Sequence, residues 1–135
     1  MAWARKGAIK VLNNMFGNGS ATTLFTSGEA PFGFLHTGDP GTSATANKAA
    51  SLAAVAVVFN AAVSATAVNA TTVDWVSSSS GTLSYLTIGL TSNLASAAGG
   101  TPLVYGALAT TKAYNVGDTI RATSGTIQVF LASAS

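Results

Sequence analysis

Ten of the 135 side chains carry a formal charge, six Lys or Arg and four Asp or Glu. A soluble domain ordinarily charges about a quarter of its residues. This shortage constrains the chain more than any motif in it. A coiled coil needs charged positions beside its apolar seam, and few are present. A nucleic-acid footprint needs a clustered basic face. Here the net charge is only +2, and three of the six cations, Arg5, Lys6 and Lys10, fall within the first ten residues. Ala, Thr, Ser and Gly together make up 73 residues. A surface of such small side chains can lie against other protein without stripping water from many ions. The composition therefore predicts an assembly subunit whose partners include its own copies.

Other classes fall away quickly. With no cysteine, neither a disulfide scaffold nor a thiolate zinc site can form. The basic start resembles a signal peptide, but Lys10, Asn13 and Asn14 break the apolar run that should follow. Residues Ala49–Val73 run for 25 positions without a charge, yet Asn60, Ser64, Thr66, Asn69, Thr71 and Thr72 interrupt them. A membrane span is not expected.

The periodicity changes once along the chain. Ala8, Ile9, Leu12, Met15 and Phe16 recur at spacings of three and four, with Arg5, Lys6, Lys10, Asn13 and Asn14 opposite. This predicts one amphipathic helix over Ala4–Phe16, ended by Gly17. A lone helix this short is marginal in water and must dock on something. Beyond it the period is two. Phe32, Phe34 and His36 alternate with Gly33 and Leu35; Val55, Val57 and Phe59 alternate with small residues; Leu86, Ile88 and Leu90 share a face; Leu103, Tyr105 and Ala107 alternate with Val104 and Gly106. Val116–Thr119 reads as a tight turn, and Ile120–Thr123 with Thr126–Leu131 as a hairpin across Ser124-Gly125. The expectation is an all-β fold, an antiparallel β-sandwich or barrel of six to eight short strands preceded by one N-terminal amphipathic helix. Residues 1–17 belong to the same unit as a single β-sandwich domain over 18–135.

Catalysis needs convergent titratable groups, and the chain has few. His36 is the one imidazole, and Glu29, Asp39, Asp74 and Asp118 are the carboxylates. No serine sits in a Gly-x-Ser-x-Gly elbow. His36 reads as a structural histidine. Asp39 and Asp118 lie at turns, where the side chain bonds its own backbone. No catalytic, cofactor or metal site is expected. Trp3, Trp75, Tyr85, Tyr105 and Tyr114 are the aromatics that a sugar-stacking platform would use, although Trp75, two residues after Val73, reads as a core anchor. The best candidates for a contact between subunits are Ile9, Leu12, Met15 and Phe16 on the helix, and Leu52, Val55 and Val57 in the aliphatic stretch.

The segments Ala8-Ile9…Leu12-Asn13…Met15-Phe16-Gly17, Leu35-His36-Thr37-Gly38-Asp39-Pro40-Gly41, Val73-Asp74-Trp75, Leu103–Leu108 and Val116–Thr119 follow one another in this order. That order resembles a family of small tailed-bacteriophage virion structural proteins, labelled tail-fibre or minor structural proteins. The resemblance spans most of the chain, and the Leu35–Gly41 motif is its most specific piece. Where that family carries a glycine- and tyrosine-rich segment with an arginine, this chain has Asn47–Ala53. The resemblance implies a non-enzymatic component of the virion exterior, assembled in the host cytoplasm. A compact unit with no stalk repeat or heptad shaft points first to capsid decoration: a homo-oligomer, trimeric by symmetry, stabilising the head through the major capsid protein. The alternatives are a tail-tip or tail-fibre subunit that contacts the host surface beside other tail proteins, and a free carbohydrate-binding β-domain. No nucleic acid or membrane is expected as a partner.

Overall fold

The computed structural model describes residues 2–5, 30–49, 52–63, 66–91 and 101–130. Every element among them is a strand: β1 (Ala2–Trp3), β2 (Ala30–His36), β3 (Val55–Ala56), β4 (Thr66–Val68), β5 (Val73–Val76), β6 (Gly81–Thr91), β7 (Thr101–Tyr114), β8 (Thr119–Ala122) and β9 (Gln128–Phe130). That is nine rather than six to eight, because two of the strands are two residues long. All described pairings are antiparallel. The strands form a five-stranded sheet in the order β1-β7-β6-β2-β3 and two ribbons, β4-β9 and β5-β8. The expected helix lies, past Arg5, outside the described residues.

β6 is the centre of the sheet, and its sequence reads accordingly. From Leu86 to Thr91 every residue is buried, because both faces of this strand are covered. Register sorts the side chains. Gly33, Leu35, Leu86, Ile88 and Val104 share the first face; Phe34, His36, Tyr85, Thr87 and Tyr105 share the second. The first face carries the main core. There Leu35, Leu86, Ile88 and Val104 pack with Leu52, Val57, Trp75, Ile120 and Ile127 from the chain laid over them. Trp75 is the joint between these layers. It is 2% exposed, its indole Nε1 donates to the Gly33 carbonyl at 3.2 Å, and a Cβ on Gly33 would lie 2.8 Å from its ring. Glycine is therefore required at 33 by close approach. Trp75 is the core anchor that its alternation with Val73 suggested.

The hairpin expected from Ile120–Thr123 and Thr126–Leu131 does not form. β8 pairs with β5 and β9 with β4. The two ribbons are successive parts of one long ladder, residues 66–76 against 119–130, bent at a corner. Four residues separate Val68 from Val73 on one side and five separate Ala122 from Gln128 on the other, so the corner absorbs one extra residue. A turn does occur at Thr123–Thr126 (Thr126 N–H to Thr123 carbonyl, 3.2 Å), but it carries the chain between ribbons instead of folding it back.

Asn69 explains why. It is fully buried. Its Nδ2 donates to the carbonyls of Thr71 (2.8 Å) and Thr123 (3.0 Å), and its Oδ1 accepts from the Ile127 N–H (2.8 Å). Its backbone exchanges bonds with Ile127 and Gly125. Asn69 thus occupies backbone groups that a local hairpin would have used. A second buried polar residue, Ser77, pins the other end. Its hydroxyl donates to the Asn115 and Asp118 carbonyls, and its backbone bonds Gly117 and Asp118. The turn there spans Asn115–Asp118, with Gly117 at φ 83° in the position where a type II turn requires a left-handed residue.

Asn69→Ala should lower stability by about 2–3 kcal/mol, since it strips partners from three backbone groups at a buried corner. Ser124→Ala, which removes an exposed hydroxyl from the same corner, should cost under about 1 kcal/mol. Denaturant midpoints of the two variants check the ranking.

Candidate functional site

The sequence motif Leu35–Gly41 builds a locked loop, and His36 is its bolt. The alternation of β2 turns His36 to the second face, where β6 presents Thr87. His36 is fully buried. Its Nδ1 lies 2.9 Å from the Ala46 carbonyl and its Nε2 lies 2.7 Å from Thr87 Oγ1. A carbonyl only accepts, so Nδ1 carries the proton and Nε2 accepts from the threonine hydroxyl. Burial holds the imidazole below its ordinary pKa of 6.5; the bond to Ala46 opposes this, and the charge of Lys48 adds to it. Both contacts suit the neutral ring, the form that burial favours.

The loop closes around that contact. Thr37 N–H donates to the Asn47 carbonyl (2.8 Å), Ala49 N–H to that of Leu35 (3.0 Å), and the Pro40 carbonyl accepts from Thr45 and Ala46. Asp39 Oδ1 accepts from the Gly41 N–H at 2.8 Å, and Asn47 Nδ2 donates to the Asp39 carbonyl at 2.8 Å. Ala44 and Asn47 are held at φ 53° and 55°, conformations that persist only where surrounding bonds over-determine them. Arg5 N–H reaches the Thr42 carbonyl at 2.9 Å, tying the described start of the chain to this loop.

No acid–base site assembles from these groups. The partners of His36 are a threonine and a carbonyl, and the Asp39 carboxylate is spent on its own turn. Asp118 likewise accepts from the Asn115 N–H at 2.8 Å. The expectation that both aspartates cap turns and that His36 is structural agrees with this geometry. Among the described residues no three His, Asp or Glu side chains gather where a metal ion could be held.

The aromatics divide between layers. Trp75 and Tyr114 are buried. Tyr85 and Tyr105 are half-buried on the second face, where Phe34 stacks obliquely on His36 and carries the Lys48 ammonium 5.3 Å above its ring. No single platform of Trp and Tyr forms among the described side chains.

A groove of about 1060 Å³ lies elsewhere, between the second half of β7 and strands β8 and β9. Its shape comes from an irregularity in β7. Tyr85 pairs with Ala107 and Leu83 with Lys112, so the four residues 108–111 stand opposite Ser84 alone and bulge from the ladder. Trp75, Ile120 and Ile127 line the depth of the groove, and Lys112, Arg121 and several threonines line its rim. Arg121 pairs with Asp74 directly across the β5-β8 ribbon, Nε to Oδ1 at 2.7 Å and Nη2 to Oδ2 at 2.9 Å. The bidentate bond pushes the Asp74 pKa down and the Arg121 pKa up.

Of the residues expected to touch other subunits, Ile9, Leu12, Met15 and Phe16 lie outside the described residues. Leu52 and Val57 are each 1% exposed and belong to this chain's own core, with Val55 packed against it. The outward apolar side chains of that stretch are Val58 and Val63, 57% and 74% exposed. Sequence reasoning passed over Asn69, Ser77 and Thr87, since a buried polar residue in a Thr- and Ser-rich chain carries no local signal. The Asp74–Arg121 pair, 47 residues apart, was equally invisible.

A family model described as podophage GP4 fiber I protein gp80 matches residues 3–130. No curated protein matches the chain.

His36 also sets a pH dependence. Its folded pKa is depressed, so below about pH 6.5 the unfolded chain takes up a proton that the fold resists. Stability should be flat above about pH 7.5 and fall as pH drops through 6.5, before the carboxylates titrate. His36→Gln should be less stable at neutral pH and lack this slope. Thermal unfolding midpoints across the range check both.

Proposed function

This chain belongs to the podophage GP4 fiber I protein gp80 family, and from that membership we propose that it sits on the phage tail as a fibre subunit facing the host surface. It is a phage fibre structural protein, part of the virion and not an enzyme. The family match over residues 3–130 carries the reading, because it takes in strands β2 to β9 entire. Capsid decoration was favoured on the lack of a stalk repeat in the chain. Membership of a fibre family over residues 3–130 outweighs that reason and favours the tail alternative.

The architecture suits such a part. A fibre subunit must hold its shape while presenting a surface, and here buried polar bonds lock both the corner of the long ladder and the motif loop. The shortage of charge supports association with copies of itself, through exposed apolar positions that cost little to desolvate. Val58 and Val63, exposed in the aliphatic stretch that the sequence singles out, are candidates for that contact among the described residues. Leu12 and its neighbours on the expected helix remain candidates beside them.

Particle composition tests the placement. Quantitative protein counting on purified virions, with gold-labelled antibody for position, should find label on the tail and copies on the order of tens, a small multiple of the tail symmetry. Label spread over the head, with copies on the order of hundreds, would return the protein to the capsid. For the self-contact, Val58→Asp combined with Val63→Asp should reduce the sedimenting mass toward that of one chain without changing the far-ultraviolet circular dichroism. An unchanged mass would remove this patch from the interface.

A further inference from the structure

We propose that the motif loop Thr37–Lys48 is an acid-released latch: a proton taken up by His36 swings the loop off the second face and frees Arg5, while the core beneath stays folded. This holds whether the protein sits on tail or head.

The ring is fully buried, with β6 on one side and the loop on the other. Its Nδ1–H is used on the Ala46 carbonyl, so an added proton must enter at Nε2. There the Thr87 hydroxyl already donates at 2.7 Å. The arriving proton meets the hydroxyl hydrogen, and its charge has no water to solvate it.

No neighbouring charge compensates. From the loop comes Lys48, whose ammonium lies 5.3 Å above the Phe34 ring, and that ring is 5.7 Å from the imidazole. From β6 comes Tyr85, opposite His36 in register, and from β7 Tyr105, opposite Thr87. Both are phenols, not carboxylates. Asp39 is exposed and accepts from the Gly41 N–H. Asp74 is held by Arg121, and Asp118 accepts from the Asn115 N–H. Arg5, tied to the loop through its N–H, adds a second cation on this side.

One of the two walls must yield, and the loop is the weaker. β2 is paired to β6 over its whole length. The loop rests on scattered bonds and holds Ala44 and Asn47 at φ 53° and 55°. Leaving the second face lets both residues relax from left-handed conformations. Arg5 then loses the Thr42 carbonyl.

The sign follows from the burial of the ring. Burial holds the closed ring below its ordinary pKa of 6.5, so the open loop binds the proton more tightly than the closed one. Opening is independent of pH above about 7.5 and should be about tenfold more populated at pH 5.5.

Residue-resolved amide hydrogen exchange on the full chain, corrected for the intrinsic effect of pH, tests the latch. Protection of the Thr37, Ala46 and Arg5 amides should fall about tenfold between pH 7.5 and 5.5. At both pH values it should stay at least about tenfold below that of the Asn69 and Ser77 amides, and dilute urea should not change it. Loop protection that is flat with pH overturns the proposal. So does loop protection equal to that of Asn69 and Ser77, which would mean global unfolding. In His36→Gln, which cannot take up the proton, loop protection should be flat, and a tenfold fall would overturn the assignment to His36. Should that variant not fold, the imidazole resonances of the wild-type chain decide, since it has one histidine. The ring must charge in step with the loss of loop protection. A ring that charges while the loop amides stay protected sinks the latch.

Discussion

The seating of Trp75 against Gly33 joins the two layers of this fold. Around that contact Leu52, Val57, Ile120 and Ile127 pack on the same face of the sheet. The indole fills the space that glycine leaves, and its one polar atom is satisfied by the glycine carbonyl. A tight pairing of this kind fixes the distance between layers far better than alanines and threonines could, because small side chains have little shape with which to interlock. In a chain composed so largely of small residues, one large residue at the centre does a disproportionate share of the specifying.

Buried polar groups do the remainder. Asn69, Ser77 and His36 are each buried and each bonded to carbonyls or N–H groups of distant segments. A hydrogen bond between neutral groups contributes modestly, but a lost partner in a dry site is costly. Such residues therefore select one arrangement sharply while adding little net stability. They stand where the chain changes direction: the ladder corner, the Asn115–Asp118 turn and the mouth of the motif loop. The solution substitutes directional bonds for the bulky packing that the composition denies.

Much of this was legible in the sequence and some was not, for an identifiable reason. Alternation located β2, β6 and the start of β7, put Trp75 in the core, and the aspartates announced their turns. Periodicity reports which side chains share a face and is silent on which strand lies next door. The Ser124-Gly125 pair looked like a hairpin, but a single asparagine some 55 positions earlier drew the two strands into different ribbons. The same blindness made Leu52 and Val57 look like a contact stripe. Val57 was read in alternation with Val55 and Phe59, and Leu52 as part of the same aliphatic stretch, yet nothing local said that Leu52 and Val57 face inward. The motif around His36 carried the resemblance to phage virion proteins. The choice of tail over head was beyond it, because a rigid loop serves either place equally well.

The bulge in β7 has a consequence for how such a protein changes over generations. Within a regular ladder, adding or deleting one residue turns every following side chain to the wrong face. Residues 108–111 already stand outside the pairing, so their number can vary while Ala107 and Lys112 keep their partners. The segment that shapes one wall of the groove is thus also one whose length can change without shifting the register of the pairs on either side.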